Sequence, residues 1–156
     1  MADPQSDTTA ERPRPVGSGI DGLRYDVATA SGVARGWVDN AEHGTDHTAR
    51  QIVFAVSQGA ADQPELRALL RELATENERL AGDAVRLFSR YNETTRSATS
   101  AVEAADTAAI AVAIADFHAI KDDGTAVAAA TLAVRRRLPR EYGDPLKLDR
   151  DWPSPA

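Results

Sequence analysis

The chain contains no cysteine, so disulfides, thiol nucleophiles and thiolate metal sites are all excluded. Aromatic residues make up only 5% of its 156 residues, leaving few large rings with which to build a core. No stretch approaches the ~18 uncharged apolar residues needed to cross a bilayer. The N-terminus lacks the basic start and apolar run of a secretory signal, since Asp3, Asp7 and Glu11 lie there among prolines and small polar residues. A cytoplasmic location is the expectation. Lysine is confined to Lys121 and Lys147, and the alanine, arginine and aspartate bias has a bacterial, high-GC flavour. The net charge of −6 argues against a general binder of nucleic acid or anionic membranes.

What the chain has is alanine, the best helix former, within a hydrophobic fraction of 42%. Its most informative pattern is an apolar stripe spaced alternately four and three residues apart: Leu66, Leu70, Leu73, Asn77, Leu80, Ala84, Leu87 and Tyr91. That alternation keeps one seam of a helix facing a partner, as in bundles and coiled coils. Leu66, Leu70, Leu73, Leu80, Leu87 and Tyr91 are therefore the candidate interaction residues. Asn77, the polar interruption, needs a hydrogen-bond partner if buried and would fix register or oligomeric state. The expected fold is all-α: an antiparallel bundle of three to five helices, with at least one long coiled-coil-like helix.

Three regions are expected: an N-terminal tail over 1–19, a bundle over 20–138 and an extended tail over 139–156. In the first helix the seam runs Leu23, Val27, Ala30, Ala34, Trp37 and Ala41, with a break or kink expected at Gly44. A second apolar set, Ala49, Ile52, Val53 and Val56, follows. Gly59 suits a helix C-terminus and Pro64 the first turn of the next helix. From Pro64 the register continues through Ala98, Ala101, Ala105, Ala108, Val112, Ala115 and Ala119, which favours one very long helix with a weak point at 92–100. Ile110, Ile114 and Phe117 form a second stripe beside it, and a helix apolar on two faces contacts another subunit or lies centrally. Lys121 to Gly124 reads as a stop before a last helix, Thr125 to Leu138, with Val127, Ala130, Val134 and Leu138 inward. In the C-terminal tail, Trp152 stands beside Leu146 and Leu148 as an anchor for the bundle itself or for a partner.

Charge is uneven. Residues 101–134 carry five acids against Lys121, whereas 135–156 carry six bases against four acids.

Three constellations are candidates for chemistry. Glu42-His43-Gly44-Thr45-Asp46-His47 places His43 and His47 one helical turn apart, a spacing able to hold a divalent metal with nearby carboxylates. Through His47 and Gln51 this stretch resembles the histidine-rich helix of DinB-like metal-binding four-helix bundles, which would imply a metal at His43 and His47. His118, in His118-Ala119-Ile120-Lys121, resembles the phosphoaccepting motif of histidine phosphotransfer domains, although Asp122 and Asp123 would repel a phosphoryl group. Arg135, Arg136, Arg137 and Arg140 form a basic cluster that offsets a helix dipole or contacts nucleic acid. No catalytic triad order and no phosphate loop is present. The function expected from the sequence is a non-enzymatic interaction or assembly protein, self-associating as a dimer through 64–120 or presenting helical surfaces to a protein partner.

Overall fold

A computed structural model describes residues 19–142. Three α-helices account for nearly all of them: α1, Ile20–Ser57; α2, Pro64–Glu103; and α3, Thr107–Arg136. Among the described residues no helix is long and apolar enough to cross a membrane. The chain runs up, down and up. Asn77 meets Thr45 and Tyr91 meets Ser31, so α1 and α2 are antiparallel. Gly44 faces Thr131 and Trp37 faces Gly124, so α1 and α3 are parallel.

The turn from α1 to α2 follows the sequence. Gly59 adopts a left-handed φ of 85°, a short 3₁₀ turn spans Ala60–Asp62, and Pro64 opens α2 where its missing N–H costs nothing. The second turn does not. The register from Pro64 breaks at Ala104–Asp106, so there are two helices where one long helix was expected. Ala105 takes a left-handed φ of 51°, its N–H bonds to the Val102 carbonyl, and the Asp106 N–H bonds to the Ala101 carbonyl. That pattern is a Schellman termination with alanine where glycine is usual, which hides it from a search for glycine punctuation. Asp106 also starts α3, its carboxylate accepting from the Ala109 N–H at 3.0 Å. Ser100 and Glu103, spaced as a capping box would be, lie inside α2. Asp106→Ala is expected to cost about 1 kcal/mol through loss of that cap. Ala105→Gly should gain up to ~1 kcal/mol by relieving the left-handed alanine. Chemical denaturation of both variants checks the pair.

The break resets the helical phase. In α3 the core is Ile110, Ala113, Phe117, Ile120, Val127, Val134 and, just beyond its end, Leu138. Ala108, Val112, Ala115 and Ala119, expected inward, face solvent. The expected breaks at Gly44 and at Lys121–Gly124 are absent, because both glycines sit inside helices where another helix comes close. A Cβ on Gly44 would lie 2.6 Å from Thr131 Oγ1, and one on Gly124 would lie 3.1 Å from backbone atoms of Trp37. Since α1 is continuous, its seam passes through Thr45, Thr48, Ile52 and Ala55, leaving Ala49, Val53 and Val56 exposed.

Candidate functional site: a groove between the first two helices

The expected interaction seam is the chain's own core. Leu70, Leu73, Asn77, Leu80 and Leu87 are buried, and Leu66 and Tyr91 pack partly buried against them. Their partner helices are α1 and α3 of the same molecule. Asn77 donates from Nδ2 to the Thr45 carbonyl at 3.0 Å, so its register-fixing bond is intramolecular. The surrounding buried hydroxyls satisfy themselves within their own helices. Thr45 donates to the Glu42 carbonyl, Thr48 to that of Gly44 and Thr131 to that of Ala128, at 2.8–2.9 Å. These residues form a polar layer across the middle of the bundle, which disfavours sliding of one helix past another. Trp152 lies outside the described residues, as do Leu146 and Leu148.

The histidines do not converge. His43 is exposed and His47 buried on successive turns of α1. Gly44 is level with Thr131 and Trp37 with Gly124, so His118 stands level with about Ser31, roughly 18 Å along the bundle from His43. Among the described residues no group of three or more histidines and carboxylates is placed to hold a metal ion. His118 lies exposed in mid-helix rather than at a helix end, because α3 continues to Arg136. The arginine cluster is divided. Arg135 is buried, Arg137 bonds to Glu72 at 2.8 Å, and Arg136 and Arg140 point outward. Beside Glu72, the Arg79 guanidinium at 2.6 Å holds the Glu76 carboxyl below the usual carboxylate range.

The described surface does offer a groove between α1 and α2, of ≈ 540 Å³. Its floor and α2 wall are Ala81, Ala84, Val85 and Phe88; its α1 wall is Glu42, His43, Thr45 and Asp46. Val85 is 66% and Phe88 39% exposed, large for apolar side chains. At one end Arg35 covers the Phe88 ring at 5.6 Å and pairs with Asp39 at 3.1 Å. At the other, Arg50 pairs with Asp46 at 2.9 Å. Two sequence features bear on this site, the Glu42–His47 polar run and the apolar Val85 and Phe88 outside the seam. Only folding set them side by side.

What fold and groove define is a class: an up-down-up three-helix bundle with an apolar, acid-walled groove on one side and an uncharged alanine face on the other. No family model, no curated protein and no solved structure matches the chain.

Proposed function

We propose that this protein is a non-enzymatic helical assembly module that self-associates through the outward face of α3. The observation that carries the reading is Val112, 61% exposed in the middle of a face whose neighbours Ala108, Ala115 and Ala119 are also exposed. A helix apolar on its outer as well as its inner side is suited to lie between two packing partners. Pairing two α3 helices antiparallel about a two-fold axis level with Ala113 and Ile114 brings Ala108 opposite Ala119 and Val112 opposite Ala115. The contact is self-complementary, as a two-fold interface must be, and opposes no like charges within the seam. Small side chains there permit a close approach of the two helices.

The test is light scattering of the full chain at micromolar concentration. A dimer is expected, converted to monomer by Val112→Arg with the circular dichroism unchanged, because Val112 contributes nothing to the monomer's core. A wild-type chain that is monomeric throughout would sink this reading.

A further inference from the structure

The α1–α2 groove has a chemistry different from the α3 face. We infer that it is a docking site for a basic amphipathic helix of a partner protein, with apolar anchors seated on Val85 and Phe88 and flanking lysines or arginines on the acidic walls. The inference rests on the reading of this chain as an interaction module, but on a separate surface from α3.

Charge selects the occupant. Along α1, Asp39 is neutralised by Arg35 and Asp46 by Arg50. Among the described residues Glu42 forms no such ion pair, and neither does Glu78, which lies one turn before Ala81 on the same side of α2. The antiparallel register that pairs Thr45 with Asn77 sets Gly44 level with Glu78, so the two carboxylates lie near one level on either side of the groove. An apolar floor between two uncompensated acids favours a cationic helix and repels an anionic one. The α2 wall from Ala81 to Phe88 extends roughly 10 Å, enough to seat anchors on two successive turns of a helix.

The alternatives within the chain lack this complementarity. A second copy related by a two-fold axis level with Glu42 and His43 would oppose Arg35 with Arg50 and Asp39 with Asp46, like against like. Residues 143–156 carry Asp144, Asp149 and Asp151 against Lys147 and Arg150. Residues 1–18 carry Asp3, Asp7 and Glu11 against Arg12 and Arg14. Neither segment brings the net positive charge that the groove would attract.

The experiment uses fluorescence anisotropy of the full chain with a labelled synthetic helix of about 18 residues, long enough to be helical, with leucines on one face and lysines elsewhere. The same peptide with glutamates for lysines is the control. The Leu/Lys probe is expected to bind at least about tenfold more tightly than the Leu/Glu probe. Val85→Glu should weaken binding of the Leu/Lys probe by about tenfold or more, although it makes the protein more acidic. The double variant Glu42→Lys, Glu78→Lys should weaken it comparably, and does not depend on Val85→Glu remaining folded. Val112→Arg should leave it unchanged. Equal binding of both probes would reduce the groove to general apolar adhesion. Unchanged or tighter binding by Val85→Glu would reduce it to attraction towards an acidic protein. A gain of about tenfold in probe affinity on Trp152→Ala would show that the chain's own tail fills the groove. Loss of self-association on Val85→Glu would show that a second copy does. Each of these four outcomes overturns the proposal. A monomeric wild-type chain would defeat the α3 reading alone, since probe binding is measured on a different surface.

Discussion

Phe117→Ala is expected to cost about 3–5 kcal/mol, a large share of the ~5–15 kcal/mol that holds a typical domain folded. Phe117 is 1% exposed and the largest fully buried side chain described. Its ring lies 5.7 Å from that of Tyr91 on α2, whose hydroxyl shares a hydrogen bond of 3.0 Å with Ser31 on α1. One ring thus takes part in a contact chain through all three helices. The neighbouring Ala113 is too small to fill the space a truncation leaves, and straight helices collapse poorly onto a cavity. Urea denaturation should show a lower midpoint with an unchanged slope, because the surface exposed on unfolding is nearly the same. A loss below about 1 kcal/mol would mean that the ring is not enclosed as described.

The second large effect concerns four glycines that look alike in the sequence. Alanine in place of a helical glycine ordinarily gains about 1 kcal/mol. At Gly32 and Gly36 nothing among the described residues beyond the local helix backbone lies within 4 Å of the new Cβ, so Gly32→Ala and Gly36→Ala should each show that gain. At Gly124 the new Cβ meets the Trp37 carbonyl carbon, oxygen and Cβ, all at 3.1 Å, and backbone cannot rotate away. Gly124→Ala is therefore expected to lose about 1–3 kcal/mol, the usual cost of overpacking. Gly44→Ala should also lose stability, since it presses on Thr131 Oγ1 at 2.6 Å and turning that hydroxyl aside breaks its bond to the Ala128 carbonyl. If Gly124→Ala were as stable as the parent, α1 and α3 would not approach as closely as they do here. Opposite signs at Gly32 and Gly124 separate helix propensity from packing within one protein.

These glycines also mark where local sequence ceases to determine structure. In the sequence Gly44 and Gly124 read as punctuation, because a glycine's local preference is to end a helix. Both are instead contact points, and nothing within a few residues of either reveals that another helix passes there. Ala105 is the opposite case. Its left-handed conformation ends α2 without glycine, and the unbroken spacing on either side carried the expected seam through the turn. As a result Val112 and its alanine neighbours, placed inward by phase continuity, lie outward and become the candidate assembly face. The candidate groove was less legible still. In the sequence Glu42 and Asp46 read as a possible metal site beside two histidines, whereas Val85 and Phe88, some forty residues away, are only two apolar residues off the seam.

By itself the sequence determined that the chain is helical, that it forms a bundle, and that the seam from Leu70 to Leu87 is buried around Asn77. Alanine content, 4-3 spacing and the Gly59–Pro64 turn act over one or two helical turns, so local order is enough to read them. Tertiary structure alone decided the number of helices, the phase of α3, the role of each glycine and the walls of the groove. The glycine contacts and the groove walls depend on residues that meet across some forty to ninety positions of chain, and the bundle geometry that brings them together is not carried by any single helix.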